Sequence, residues 1–231
     1  MVKKYRNEWK YCCSDYYFQQ LIPRLEGILE LDKHAENDGF YKVRSLYFDD
    51  LKDTCAMNVN AGASNRFKYR VRYYNNNLDT LHFERKEKLY GKCRKYNCKL
   101  SNNEYSKLVS GDVWDIFWDN ENIDLKKFCI DVISKGFRPK LITDYERKAY
   151  VDKNLNMRVT IDKNIFVSGD VEDFIKGEYN ILPLLNTNKH ILEVKFDDIL
   201  PQYIKELLNM RCLNQTSFSK YYVGSQKLKR V

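Results

Sequence analysis

Positively charged residues alternate with apolar residues between positions 66 and 73. Successive side chains of a strand point to opposite sides, so one face of such a strand would carry only cations. Those cations are Arg66, Lys68, Arg70 and Arg72. Like charges two residues apart repel, and a face in water gains nothing from carrying a single sign. An anion bound along the face would offset the repulsion. Arginine binds two phosphate oxygens at once, and lysine acts as a point charge.

Other segments repeat this pattern of a charged face opposite an apolar one. The charged faces are Arg6, Glu8 and Lys10; His82, Glu84, Lys86 and Lys88; Lys92 and Arg94; Arg147 beside Tyr145; Arg158 and Asp162; Glu193 and Lys195. For any one strand, a charged surface in water is the simpler interpretation. Seven strands of the same character favour a shared lumen instead. Converging cations in a narrow lumen require a polyanion, or a metal with its anion, to enter.

Hydrophobic periodicity predicts the elements that would position these faces. Strands are predicted at 5–12, 41–49, 65–74, 80–89, 92–100, 140–151, 157–167 and 190–197. Helices are predicted at 15–30, 51–60, 103–109, 122–135, 200–210 and 217–228. Pro23 should kink or split the first helix. Eight strands joined by short turns or single helices predict an α+β fold, with a closed eight-stranded antiparallel β-barrel covered by helices.

Composition narrows the class of protein. The chain has 231 residues and a net charge of +8, which indicates an anionic partner. Without linker or repeat, residues 1–231 are predicted to form one domain. Seven scattered cysteines and three histidines lack the spacing of a zinc site and indicate reduced thiols. No run approaches the roughly 18 apolar residues of a membrane span, so we expect a cytoplasmic protein that does not itself span a membrane.

Asp49 and Asp50 are adjacent carboxylates at a predicted strand end. They could be interpreted as a pair of metal ligands. A turn that caps the 51–60 helix is the favoured interpretation, because carboxylates at this position accept hydrogen bonds from the first N–H groups of a helix.

Eight short segments together carry a resemblance to a known family. They are residues 6–11, 45–49, 68–72, 83–86, 145–150, 158–162, 192–196 and 217–221. In this order, over about residues 3–228, they resemble the VTC domain. This is the polyphosphate polymerase catalytic domain of the vacuolar transporter chaperone complex, within the triphosphate tunnel metalloenzyme (CYTH-like) superfamily. The sequence departs from eukaryotic members at Lys88, where they have histidine, and at Ser217, where they have lysine.

The resemblance implies a phosphotransferase that moves the γ-phosphate of ATP to a growing polyphosphate chain. Phosphates would be bound by Lys10, Arg70, Arg72, Lys86, Arg147, Arg158, Lys195 and Lys220. Tyr145 and Ser219 would add hydrogen bonds, and Glu193 would hold Mn²⁺ or Mg²⁺, hard cations that favour oxygen ligands. Further lining residues would be Glu8, Lys68, Lys88, Lys92 and Arg94. The partners implied are ATP and polyphosphate. Whether a membrane protein also acts as a partner and receives the product is left open.

Three alternatives remain at this point. An inorganic triphosphatase would use the same tunnel, but related hydrolases carry Glu-x-Glu-x-Lys where this chain has Arg6-x-Glu8-x-Lys10. Losing that carboxylate removes a metal ligand, and Arg6 adds a cation for the acceptor, which favours the polymerase. A non-catalytic polyphosphate or nucleotide sensor is kept open by the departure at Ser217. Nucleic-acid binding ranks last, because the aromatic residues alternate with the cations and no recognised motif is present.

Overall fold

The computed structural model describes residues 4–36, 38–208 and 213–230. The strands are β1 (Asn7–Ser14), β2 (Glu30–Leu31), β3 (Phe40–Asp49), β4 (Asn65–Tyr74), β5 (Asn77–Leu89), β6 (Lys92–Leu100), β7 (Arg138–Asp152), β8 (Met157–Ser168), β9 (Leu182–Pro183) and β10 (Lys189–Phe196). The helices are α1 (Asp15–Glu26), α2 (Thr54–Asn60), α3 (Asn102–Ser110), α4 (Trp114–Asp119), α5 (Ile123–Lys135), α6 (Gln202–Leu207) and α7 (Lys220–Leu228), with a 3₁₀ turn at Val171–Asp173.

The strands form one ten-stranded antiparallel sheet. Eight of them follow the order β1-β10-β8-β7-β3-β4-β5-β6, while β2 pairs with β7 and β9 with β8. The α+β class is therefore correct, but the predicted closed eight-stranded barrel is wrong. The outer strands β1 and β6 are not joined by a ladder. Between the elements that the structure describes, they meet at one isolated bridge, from Arg6 to Cys93.

The segment before α7 explains why the sheet stays open. The N–H of Thr216 donates to the carbonyl of Lys10, 2.8 Å away, and Gln215 forms a bridge with Tyr11. These contacts use the free edge of β1. A closed barrel would need β6 to pair along that same edge. The backbone groups of β1 that bind residues 215–216 are not available to β6. The C-terminal segment therefore fills the gap that β6 would have closed.

The sheet is nevertheless strongly curved. Glu8 of β1 and Lys86 of β5 lie near opposite ends of the strand order, yet Nζ of Lys86 is 2.7 Å from Oε1 of Glu8. The charged side chains therefore lie on a concave face. The other face is covered by helices around two hydrophobic clusters, one with Phe128 of α5 and one with Leu25 of α1. The helices thus bury the apolar face of the sheet and leave the charged face open.

The eight predicted main strands match the observed ones within three residues at each end. The helix α1 is not split by Pro23. It begins directly after its capping residue Ser14, whose hydroxyl accepts the N–H of Tyr17, and it ends before Gly27. The helix predicted at 200–210 is observed as α6, which is shorter. Residues 209–212 lie outside the described part of the chain. β2, β9 and α4 were missed because two-residue strands and a six-residue helix carry too little periodicity.

The Asp49–Asp50 turn is confirmed. The carboxylate of Asp49 accepts the N–H groups of Cys55 and Ala56, and that of Asp50 accepts the N–H of Thr54. Both side chains thus serve the start of α2 and are not arranged as metal ligands. Across the described ranges, no helix has the length and apolar character needed to cross a bilayer.

Candidate active site

The concave face brings together the charged residues singled out from the sequence. Arg70 lies on β4, Arg147 on β7, Arg158 on β8 and Glu193 on β10. Cross-strand register joins them, since Arg147 is opposite Asp162 and Lys195 is opposite Arg158. The four residues thus face one common space rather than separate regions of solvent. Within it, buried carboxylates hold the cations in three groups.

The first group surrounds Glu84, which is 2 % exposed. Its carboxylate accepts from Nε of Arg70 at 2.7 Å and from Nζ of Lys95 at 2.8 Å, and Nη1 of Arg72 lies 3.7 Å away. Burial would raise the pKa of Glu84, but Arg70, Arg72 and Lys95 hold it well below its usual value. Glu84 is therefore a permanent anion that fixes two arginines. Arg72 also donates to the hydroxyl of Tyr145 at 3.0 Å.

The second group surrounds Asp162 of β8, which is fully buried. Arg147 binds it with two nitrogens, Nε at 2.6 Å and Nη2 at 2.8 Å, and Lys220 of α7 forms an ion pair with the same carboxylate. Burial opposes ionisation, yet these two cations lower the pKa of Asp162 to about 2. Nζ of Lys220 also lies 4.3 Å from the ring centre of Tyr145. The predicted residues Arg147 and Lys220 thus share one carboxylate, and both lie near the ring of Tyr145.

The third group contains two buried carboxylates, Glu8 and Glu193. Nζ of Lys10 lies 3.6 Å from Glu8 and 3.4 Å from Glu193, and Nζ of Lys195 lies 3.8 Å and 2.5 Å from them. Burial and the charge of Glu193 raise the pKa of Glu8, but Lys86, Lys10 and Lys195 outweigh both and lower it. Glu193 is likewise lowered, since the same lysines overcome its burial. Both carboxylates are therefore ionised.

Glu8 and Glu193 fit a divalent metal. Magnesium and similar ions are commonly held by one or two carboxylates, with substrate phosphates and water completing their ligands. Two ionised oxygen donors that share the same lysines match this pattern. No cluster of three or more His, Cys, Asp or Glu side chains suited to a metal occurs within residues 4–36, 38–208 and 213–230. In a site of this kind the protein would supply two carboxylates, one more than the single ligand predicted.

Lys68 differs from the cations of these three groups. Its Nζ lies 3.3 Å from the hydroxyl of Ser219, and it has no carboxylate within ion-pair distance in the part of the chain that the structure describes. Burial lowers its pKa to about 7, and Lys86, Lys10 and Arg70 add to that shift. Burial would raise the pKa of Tyr47, but Arg70, 2.9 Å from its hydroxyl, and Lys68 lower it to about 7.

A cavity of about 70 Å³ opens at the end of the face where Lys68 lies. Its walls are the ends of β1, β4 and β5 and the segment before α7. Its polar lining comprises Glu8, Lys10, Arg66, Lys68, Lys86, Lys88, Thr216, Ser217 and Ser219. Five cations against one carboxylate make this cavity strongly positive. Lys88, predicted as a lining residue, is therefore placed here, next to Ser217.

Charge over the whole concave face is unbalanced. Leaving aside Arg66 and Lys88 of the cavity, we count ten cations against five carboxylates within the described ranges. The cations are Lys10, Lys68, Arg70, Arg72, Lys86, Lys95, Arg147, Arg158, Lys195 and Lys220, and the carboxylates are Glu8, Asp32, Glu84, Asp162 and Glu193. The five carboxylates balance half of the positive charge of these ten cations. A multiply charged anion would balance the remainder.

Two predicted lining residues lie elsewhere. Lys92 and Arg94 of β6 point to the opposite face, where Arg94 pairs with Glu87 at 3.0 Å and lies over the ring of Tyr5. The turn at Tyr90 and Gly91 sets this orientation, because a two-residue turn pairs Leu89 with Lys92 and so places them on the same face. Lys95 faces the site in their place. This parity could have been worked out from the turn.

Other functional candidates were not singled out from the sequence. Asp32, in the loop after β2, binds Arg158 at 3.0 Å, and the hydroxyl of Tyr41 accepts from the same arginine at 2.8 Å. Glu84 and Asp162 were placed on charged faces without a role. Arg6 is held by Asp197 at 3.0 Å, so this structure does not offer it to an acceptor. Loop residues such as Asp32 carry no periodic signal.

Solved structures similar to this one share its fold. An adenylate cyclase-like protein from Bacillus halodurans superposes with a TM-score of 0.56 at 15% identity, covering 95% of this chain and 96% of that one. The adenylyl cyclase-like protein HpAC1 from Hippeastrum, whose structure is described as revealing a dominant triphosphatase activity, gives 0.54 at 12% identity, with 96% and 95% covered. The Mediator head module of Schizosaccharomyces pombe gives 0.53 at 9%, with 92% and 98% covered. At such identities, likeness shows the fold alone.

Sequence comparison is more specific. No curated protein matches the chain. The sequence profile of the VTC domain, however, matches residues 5–229, almost the whole length. That span contains all three carboxylate groups and the cavity before α7. The resemblance inferred from eight short segments is thereby confirmed, and the chain belongs to the VTC domain family.

Proposed function

We propose that this protein transfers the γ-phosphate of ATP to the end of a polyphosphate chain bound on the concave face. The observation that carries the proposal is the excess of cations over carboxylates on that face. A triphosphate brings about four negative charges, which approaches the unbalanced positive charge. An extended row of cations also suits a substrate whose charge repeats along its length.

The buried carboxylates favour a phosphate acceptor over water. Hydrolysis needs a base that can take a proton from water. Glu8, Glu84, Asp162 and Glu193 are poor bases, because their neighbouring cations lower the pKa of each. The terminal phosphate of a polyphosphate chain is already ionised near neutral pH and needs no base. Catalysis then consists of alignment and charge neutralisation.

In the proposed reaction, Arg70, Arg72, Arg147 and Arg158 bind the triphosphate of ATP. The acceptor end of the polyphosphate lies in the cavity with Lys10, Lys68 and Lys86. An acceptor oxygen forms a bond to the γ-phosphorus as the bond to the bridging oxygen of ADP breaks, and ADP leaves as the anion. Mn²⁺ or Mg²⁺ held by Glu8 and Glu193 would supply charge neutralisation at the phosphate oxygens.

One observation favours a triphosphatase as the second candidate. Lys68 has a pKa of about 7, so its amine could accept a proton from an attacking water. The description of HpAC1 names triphosphatase activity on this fold, although at 12% identity. A sensor that binds without turnover remains the third candidate, since Ser217 departs from the lysine of eukaryotic members.

Product analysis separates the three. Purified protein is incubated with ATP and Mn²⁺, with and without a short polyphosphate primer, and the products are resolved on a gel stained for polyphosphate. We expect long chains together with ADP. Orthophosphate without chains would replace the polymerase by the triphosphatase. Tight ATP binding without either product would leave only the sensor.

A further inference from the structure

Aromatic rings continue the concave face beyond its cations. Tyr74 follows Arg72 by two residues on β4, and His82 is paired with Arg72 across the ladder to β5. Tyr41 of β3 is paired with Arg147. Because side chains two apart or directly paired share a face, these three rings lie on the same side of the sheet as the phosphate-binding candidates. His34 joins them from the loop after β2.

The rings form a compact group. His34 and Tyr74 are stacked, with centroids 4.8 Å apart and planes inclined by 15°. Tyr41 lies 5.9 Å from each of them, and His82 lies 6.3 Å from Tyr74. Tyr41 is buried, whereas His34, Tyr74 and His82 are only partly covered. The group is thus anchored on one side and accessible on the other.

The backbone at His34 is held in place. Its N–H donates to the carboxylate of Asp32 at 3.0 Å, and its carbonyl accepts from the side chain of Asn75 at 3.3 Å. Asp32 in turn pairs with Arg158 at 3.0 Å. The ring group is therefore tied directly to one of the proposed triphosphate ligands, and its position relative to that arginine is fixed before any ligand binds.

Two arginines of the concave face contact this group of rings. The guanidinium carbon of Arg72 lies 5.9 Å from the centroid of Tyr74, and Arg158 donates to the hydroxyl of Tyr41 at 2.8 Å. A surface that changes from arginine to partly exposed aromatic rings matches a ligand with a phosphate chain at one end and a planar aromatic base at the other. Aromatic side chains bind bases by stacking, whatever the base.

We propose that His34, Tyr74 and His82 form the seat for the nucleobase of the phosphate donor, with Tyr41 as its floor. This inference rests on the proposed function, because it assigns the donor's nucleoside to one end of the same face. It makes the donor a nucleoside triphosphate rather than tripolyphosphate alone. The seat recognises an aromatic ring as such, so discrimination among bases would be weak.

The test compares ATP with tripolyphosphate, which has the phosphates without the base. Calorimetric titration in Mg²⁺ measures the affinity of both ligands for the wild type and for Tyr74→Leu and Tyr74→Phe. Leucine keeps an apolar side chain but removes the ring. Phenylalanine keeps the ring but removes the hydroxyl near Arg72. We expect Tyr74→Leu to weaken ATP about tenfold, the size of one stacking contact, and tripolyphosphate less than twofold. Tyr74→Phe should resemble the wild type.

Three results would overturn the seat. Equal weakening of both ligands by Tyr74→Leu would mean that the ring only supports the arginines. An unchanged ATP affinity would mean that the base lies elsewhere. Loss of ATP affinity in Tyr74→Phe would assign the effect to the hydroxyl. A failure of the proposed function is seen separately in the product analysis, because a triphosphatase or a sensor would still bind both ATP and tripolyphosphate.

Discussion

Buried carboxylates determine which cations can stay on the concave face when no phosphate is present. Glu84 alone contacts three cations, and Asp162 contacts two. Removing such a carboxylate would leave its buried cations unpaired, which typically costs several kcal/mol. At the scale of single residues, these anions are therefore structural, whereas Glu8 and Glu193 share their lysines and are the proposed ligands of a metal ion.

Binding of the metal ion should depend on both Glu8 and Glu193. Replacing either one by Gln keeps the shape of the side chain but removes one charged ligand. We expect Glu193→Gln and Glu8→Gln each to raise the metal concentration needed for half-maximal activity about 10- to 100-fold, and the double variant to lose metal dependence of the rate. Activity measured across a Mn²⁺ titration checks this. Normal metal dependence in Glu8→Gln would mean that Glu193 holds the metal ion without Glu8.

Lys68 should take up a proton when phosphate binds. In the free protein its pKa is about 7, so at pH 8 the amine is mostly neutral. A bound polyanion favours the charged amine and raises that pKa, so binding at pH 8 should draw in about one proton, and less as the pH falls below 7. Titration with tripolyphosphate in buffers of different ionisation enthalpy measures this uptake.

Two variants identify the group that titrates. Lys68 and Tyr47 both have a pKa of about 7, so each variant removes one candidate group. Lys68→Met should lose most of the uptake at pH 8, whereas Tyr47→Phe should keep it, because the Lys68 amine is still present to take the proton. If Tyr47→Phe abolished the uptake and Lys68→Met did not, the proton would belong to the tyrosine.

At the scale of elements, α7 and the segment before it complete the site. They bring Ser219 to Lys68 and Lys220 to Asp162. The helix must lie very close to the sheet to do so. A Cβ at Gly224 would come within 2.9 Å of Cγ2 of Val167. A larger residue at position 224 would therefore have to displace the side chain of Val167 or move α7 away from the sheet.

Asp49 connects three elements and should be critical for stability. Fully buried at the end of β3, it accepts N–H groups of α2 and the hydroxyl of Tyr221 in α7 at 2.6 Å. Asp49→Ala leaves these donors unsatisfied, and we expect a loss of about 2–4 kcal/mol in the free energy of unfolding. Tyr221→Phe, which removes one bond, should cost about 1 kcal/mol. Urea denaturation measures both, and a loss below that of Tyr221→Phe would contradict the role of Asp49.

At the scale of the whole molecule, the open sheet holds an excess of positive charge that a ligand should relieve. Tripolyphosphate at 100 times its Kd should raise the free energy of unfolding by about 2.7 kcal/mol, because it binds only the folded state. The gain at a fixed tripolyphosphate concentration should shrink as salt is added, since charge dominates the affinity. Thermal unfolding measures the gain.

Matched charge variants locate the binding. Arg147→Ala should lose most of the gain at the same tripolyphosphate concentration. Arg24→Gln removes the same charge from the exposed surface of α1 and should leave it unchanged. Equal losses in both variants would point to general attraction by the net charge instead of binding on the concave face.

Much of the architecture could be predicted from the sequence. Alternation of apolar and charged residues gave the main strands, and the faces of β1, β4, β5, β7, β8 and β10 were assigned correctly. Local rules also identified the turn at Asp49 and Asp50 that caps α2. The error at Lys92 and Arg94 arose because β6 carries cations on both faces, so alternation alone could not choose between them.

The amino-acid sequence by itself determined the α+β class, the charged strand faces and the family, because these depend on local periodicity and on motif order. Only the tertiary structure decided that the sheet stays open, that Lys68 has no carboxylate partner among the described residues, and that Glu8 lies close to Glu193. Those features depend on which distant segments compete for one strand edge, as residues 215–216 do along β1. Such competition involves contacts about 200 residues apart, and no local pattern encodes it.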